Sequence, residues 1–237
     1  MPRFFGYNNC MILLNLSELI ADPLGFLKQI ACILPVMLLS LTLHEWGHAF
    51  AAYKCGDPTA KNLGRMTMNP LKHIDPIGFL AILLIGFGWA KPVPVNSRNY
   101  RNYKRGEVIV SLAGVTMNLL LAIVFSAAYV ILFRLYRTGS YSWLENGILI
   151  TVVQYGVVLN IALMLFNLLP FYPLDGYHIF ELLFARRLPL KVFLFFRRYG
   201  QFILIGMLVL LHTIHFSPIS IIGNWILLQL TKLSIMI

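Results

Sequence analysis

The chain has 237 residues, 59% of them hydrophobic and 12% charged, with a mean hydropathy of +0.76. This composition excludes a soluble globular domain, which has no means of hiding so much apolar surface. The formal charge of +10 does not argue for nucleic acid, because the basic residues gather in short stretches between apolar segments and so report membrane topology.

Residues 1–23 form a polar-aromatic lead followed by an apolar run that Asn15, Ser17 and Glu18 interrupt. Spanning takes about 20 predominantly apolar residues, so this stretch is expected to be an interfacial helix. Met1 to Asn9 lacks the basic region and cleavage site of a signal peptide. Leu24 to Tyr53 is the first expected span, with a bend at Pro35. Lys54 to Arg105 holds nine of the nineteen basic residues, which assigns this side to the cytoplasm. Within it Ile77 to Gly88 is apolar but too short to cross, and it predicts a re-entrant or β-hairpin segment. Glu107 to Phe133 and Gly147 to Leu169 are the next two spans, the latter stopped by the Pro170 to Gly176 break. Tyr177 to Arg198 is basic and expected to be cytoplasmic, and Tyr199 to His215 and Ser217 to Ile235 are expected to form a hairpin around Pro218. The fold class is thus an all-α polytopic membrane protein of about five transmembrane helices. Its organisation is an N-terminal segment 1–23, a membrane core 24–198 and a C-terminal helical hairpin 199–237.

The chemistry concentrates in His44-Glu45-Trp46-Gly47-His48. Histidines four apart lie on one face of a helix, and a glutamate after the first is the general base of the zinc-hydrolase pattern. Polar groups inside a membrane are costly unless they bind, pair or catalyse; the bland alternative is a hydrogen-bonded patch joining helices. A catalytic zinc takes three protein ligands and leaves a position for water. The third ligand must return to the membrane face where the first span ends. Asp175, in the proline-broken end of the third span, meets that demand. Asp75, between Ile74 and Pro76, is the second candidate, and an N-cap role remains the alternative for Asp175. Three widely separated cysteines, Cys10, Cys32 and Cys55, suggest neither a disulfide framework nor a thiolate zinc site. Asn118, just inside the second span after Ala113-Gly114, is a candidate for stabilising the oxyanion, with an interhelical hydrogen bond as its alternative.

These motifs resemble those of the site-2 protease family of intramembrane zinc metalloproteases. Besides the histidine motif, the matching stretches are Asn69 to Gly78, Gly86 to Asn96, Ala113-Gly114 with Asn118, and Asn167 to Pro170 leading to Leu174-Asp175-Gly176. They cover about residues 38 to 180 in the family's order. The resemblance implies one Zn2+ per chain on His44, His48 and Asp175, with Glu45 as catalytic base. It also implies a single-span membrane protein as substrate, hydrolysed within or near its transmembrane segment, and a place in the cell membrane with the active site near the cytoplasmic face. The chain departs from the family at Val115, where proline is usual. The short connection Tyr136 to Asn146 has no room for a PDZ domain, so a membrane-only member is expected.

A helical substrate must be extended before it is cut, and a strand edge can hold it. Gly86, Phe87, Gly88 and Trp89, continuing to Asn96, are the expected substrate-binding edge, where Pro92 and Pro94 lack N–H groups on one side; a rigid cytoplasmic turn is the alternative. Two other classes compete with a protease. A catalytically silent binding protein of the same fold is disfavoured by the intact His44, Glu45, His48 and Asp175. A small transporter would predict repeated halves with broken helices, and no repeat is present.

Overall fold

A computed structural model describes residues 22–78, 89–139, 147–214 and 218–236. Among the described residues, six helices carry the architecture. The first, α1 (Pro23–Cys55), starts where Asp22 accepts a hydrogen bond from the Gly25 N–H at 2.9 Å and Pro23 supplies a pre-set first turn. It ends at Gly56, whose φ of +113° places it in the left-handed region and lets its N–H cap the Tyr53 carbonyl. At 33 residues α1 is about 50 Å long, more than a bilayer core requires. It runs continuously through Pro35.

The others are α2 (Tyr103–Arg137), α3 (Ile148–Asn167), α4 (Asp175–Phe184), α5 (Leu190–Thr213) and α6 (Pro218–Met236). Of these six, α1, α2, α3 and α5 are long and apolar enough to cross a membrane, while α6 is apolar but shorter. The chain is therefore an all-helical, multi-pass membrane protein. No strand is seen among the described residues; an isolated antiparallel bridge pairs Ile74 with Ala90. That bridge lies at the foot of the expected hairpin, whose residues 79–88, Gly86, Phe87 and Gly88 included, fall outside the described residues, as does the 1–21 part of the N-terminal segment.

The basic stretch 177–198 is largely helical, taking in most of α4 and the start of α5. α5 begins at Leu190 and so carries Lys191, Arg197 and Arg198 in its first turns. Arg197 is tolerated there because its Nη2 meets both oxygens of Glu181 at 2.9 Å, clamping α5 to α4.

Helices in lipid gain nothing by burying leucine, so they associate through close packing and hydrogen bonds. α2, α3 and α6 share one core of Ala122, Tyr129, Phe133, Ile150, Val153, Val157, Val158, Ile161 and Leu227. Two glycines set the approach of neighbouring helices. A Cβ on Gly156 of α3 would enter the Phe125 ring of α2, and one on Gly47 of α1 would stand 3.1 Å from the Ala113 carbonyl oxygen of α2. Leu119, Leu120, Ile123, Val124 and Ile131 of α2 remain exposed, as a lipid-facing surface requires.

Candidate metal centre

Gly47 brings α1 against α2 in the turn that carries the metal motif, and His44 and His48 consequently point into the bundle, 7% and 8% exposed. Asp175 comes from the opposite direction. α3 stops after Asn167, and the chain turns through Leu174 in extended conformation (ψ 157°) into α4. Leu174 occupies the N-cap position of α4, with no side-chain capping bond, and Asp175 opens the helix. Its carboxylate therefore serves no cap. Asp175 Oδ2 stands 3.4 Å from His44 Nε2 and 3.3 Å from His48 Nε2, and the two Nε2 atoms are 3.0 Å apart.

The far side of each imidazole decides what these three atoms are. His44 Nδ1 lies 2.7 Å from Asn118 Oδ1, and His48 Nδ1 lies 2.7 Å from the Val110 carbonyl oxygen. A carbonyl oxygen only accepts, so each Nδ1 carries the hydrogen and donates it. The orientation of Asn118 is itself set, because its Nδ2 donates to Asn160 Oδ1 at 3.0 Å while Asn160 Nδ2 donates to the Gly156 carbonyl at 2.8 Å. Both asparagines are completely buried. In neutral imidazoles so arranged, each Nε2 presents a lone pair. Two lone pairs and a carboxylate oxygen thus converge, and Asp175 Oδ2 is buried without a hydrogen-bond donor. Three acceptors facing one another in an apolar site call for a cation.

The residues fit zinc. Two histidines and a carboxylate form an established catalytic donor set, and ligands about 2.0–2.1 Å from a tetrahedral zinc stand about 3.3–3.4 Å from one another. The three donor atoms lie within 4.8 Å of each other, their separations being 3.0, 3.3 and 3.4 Å. Gly114 of α2 completes the cradle, since a Cβ there would collide with His48 Nε2 and come within 2.7 Å of His44 Nδ1.

Glu45 is 8% exposed, and its Oε2 accepts the Val93 N–H at 2.8 Å. Val93 belongs to the segment expected to offer an edge to substrate. Its described part is otherwise engaged: the Lys91 N–H donates to the His73 carbonyl at 2.8 Å, and Arg65 Nη2 donates to the Lys91 and Pro92 carbonyls at 2.8 and 3.2 Å. Trp89 is half exposed beside the Ile74–Ala90 bridge. Asp75 is absent from the metal cluster and caps its own turn, accepting from the N–H groups of Ile77 and Gly78. Asn118 directs its oxygen to His44 and its nitrogen to Asn160, bonds of the interhelical kind held as its alternative role. α2 passes through Val115 without interruption, so the missing proline does not deflect Asn118 from the site.

Sequence reasoning overlooked three contributors: Asn160, the Val110 carbonyl and the Val93 amide. Asn160 carried a signal, being a polar side chain in the middle of an apolar span. The two backbone groups carried none. Asp57, just past α1, was also passed over. It is fully buried and accepts from the Asn96 N–H (2.6 Å), the Asn99 Nδ2 (2.8 Å), the Thr59 N–H (3.1 Å) and the Thr59 hydroxyl. Burial opposes its ionisation, but the Asn96 amide, Thr59 and Asn99 outweigh that and hold its carboxyl below the usual carboxylate range.

Residues 133–211, which include Asp175, match Peptidase family M50. The chain is 45% identical over 145 residues to "Putative zinc metalloprotease YwhC" of Bacillus subtilis, covering 61% of this chain and 65% of that protein. It is 32% identical over 164 residues to "Putative zinc metalloprotease Rip2" of Mycolicibacterium smegmatis, covering 67% of this chain and 60% of that protein. The Rip2 of Mycobacterium tuberculosis is also 32% identical, over 166 residues, 68% of this chain and 60% of that protein. The chain thus spans a little under two thirds of the length of these relatives. No solved structure matches it. The family match over the third of the chain that carries Asp175 and the metalloprotease relatives agree with the donor set at the α1–α2–α4 junction: the chain belongs to peptidase family M50, the site-2 proteases.

Proposed function

We propose that this chain is an intramembrane zinc endopeptidase that hydrolyses a peptide bond within or near the transmembrane segment of a single-span membrane protein. The observation that carries the reading is the convergence of His44 Nε2, His48 Nε2 and Asp175 Oδ2, each imidazole bearing its hydrogen on the far nitrogen. His44, His48 and Asp175 hold one Zn2+ per chain. Zinc held there supplies Lewis acidity toward the scissile carbonyl and toward water. Glu45 is the base: with Oε2 steadied by the Val93 amide, its other oxygen takes the proton from water and hands it to the leaving amine. Asn118 acts through His44, fixing the ring that presents Nε2.

Substrate must reach Glu45 as an extended strand, because a helix shields its own peptide groups. The Gly86–Trp89 edge is the proposed holder, and the commitment of the Lys91 and Val93 amides limits that role to residues before Ala90. The histidines lie in the last third of α1, and nine basic residues follow between Lys54 and Arg105. This favours a site near the cytoplasmic face of the cell membrane, with α6 as a fifth crossing and a re-entrant segment between α1 and α2.

The test is a comparison of membrane proteomes from cells carrying wild type and Glu45→Gln. An uncut single-span protein accumulating with Glu45→Gln, while purified Glu45→Gln still binds one zinc, is the expected result. Identical proteomes together with an unchanged cleavage rate would refute the reading.

A further inference from the structure

Asp57 is a buried carboxylate with no cation within ion-pair distance among the described residues. A charge so placed is costly unless its hydrogen bonds are required. Two of its donors are local, both from Thr59, and suffice for a turn after α1. The other two come from 39 and 42 residues away, the Asn96 N–H and the Asn99 side chain. A turn has no need of those.

They belong to a strap, residues 91–99, laid over the last turns of α1. Arg65 grips its first carbonyls, and the Arg101 N–H just beyond it donates to the Cys55 carbonyl at 2.9 Å. Val93, 7% exposed, packs its side chain against the fully buried Ala49 and Ala60. Gly56 permits the contact, since a Cβ there would lie 2.9 Å from the Asn99 carbonyl oxygen. Along the strap, the amides of Lys91 and Val93 are committed inward and Pro92 and Pro94 have none, so over this stretch it offers no donor to an incoming strand. What remains to it is the Val93 N–H on Glu45, held at one end by Arg65 and at the other by Asp57.

We propose that Asp57 is a positioning residue for the reaction: by holding Asn96 and Asn99 it fixes the strap so that the Val93 amide orients the Glu45 carboxylate. This rests on the reading of Glu45 as the base. Asp57 touches neither substrate nor metal, and its effect is transmitted through the backbone of Pro94 and Val95, between Val93 and Asn96.

The test uses the full-length protein in detergent as wild type, Asp57→Asn and Asn99→Ala, the last removing a single bond to Asp57. Three quantities are measured: amide hydrogen exchange of peptides covering 90–99, zinc per chain, and kcat and KM. The probe is a single-span reporter whose alanine-leucine helix is broken by Gly-Pro between two soluble tags. In Asp57→Asn the strap exchanges faster while α2 is unchanged, zinc stays at one per chain, and kcat falls on the order of ten- to a hundredfold with KM within about twofold. Asn99→Ala shifts the same quantities in the same direction by less. A loosened strap with unchanged kcat would overturn the proposal, as would an unaltered strap, a loss expressed in KM alone, or zinc lost in step with activity in both variants. A wild type that leaves the reporter uncut refutes the protease reading instead, and exchange at the strap then decides by itself whether Asp57 fixes the Val93 amide.

Discussion

His44 donates its Nδ1 hydrogen to Asn118 Oδ1 across 2.7 Å, although the two residues are 74 positions apart. Behind Asn118 stands Asn160, and behind Asn160 the Gly156 carbonyl, so a relay running from α3 through α2 sets which nitrogen of an α1 histidine is free. Loss of such an orienting partner typically costs ten- to a hundredfold in metal affinity. Asn160→Leu, which touches no proposed ligand, is therefore expected to weaken zinc binding by about tenfold in a chelator competition. Unchanged affinity would mean that Asn118 needs no support from α3.

Gly114 tests the cradle. Gly114→Ala drives a methyl group into His48 Nε2 and toward His44. Overpacking of this kind costs about 1–3 kcal/mol, so zinc affinity should fall by roughly tenfold or more. Gly206→Ala in α5, where a Cβ meets nothing within 4 Å, is the control and should leave zinc content unchanged.

Gly176 tests the third donor. A Cβ there would overlap the Leu168 carbonyl, and relief of that overlap moves the start of α4 and Asp175 with it. Gly176→Ala is expected to lower zinc content by metal analysis while the helical circular dichroism persists. Full zinc occupancy would separate Asp175 from metal binding.

Asp57 predicts a pH dependence. Its carboxyl is held below its ordinary value, so its contribution to stability is complete above the unfolded value of about pH 4 and is lost as pH falls through the lower folded value. The difference in thermal midpoint between wild type and Asp57→Asn should accordingly be constant near neutrality and shrink below about pH 4. A difference that grows on acidification would contradict the hydrogen-bond arrangement.

Part of this was legible in the sequence for a physical reason. Helical spacing puts His44 and His48 on one face whatever surrounds them, and four helices long enough to span follow from apolar runs alone. Asp175 was accessible because Pro170 and Pro173 break a span beside it and the basic loops constrain which face it can reach. α5 starts at Leu190, ahead of the apolar run that begins at Tyr199, and so takes in Lys191, Arg197 and Arg198, which hydropathy alone does not assign to a helix. Their accommodation on a helix depends on Glu181 of α4, a tertiary fact. Asn118 was legible as a polar group inside a span, but its bond to His44 was not, since nothing local indicates which partner a buried amide will meet. The Val93 amide was invisible, because every residue but proline has one and only the fold says where it points.

The central claim is that His44, His48 and Asp175 form a zinc site, and X-ray absorption at the zinc edge of the purified full-length protein tests it most directly. The account predicts one zinc per chain, with two imidazole nitrogens and oxygen at about 2.0–2.2 Å and no sulfur, together with loss of one oxygen or of the metal in Asp175→Ala. Sulfur in the coordination shell, or a wild-type spectrum retained in Asp175→Ala, would contradict it.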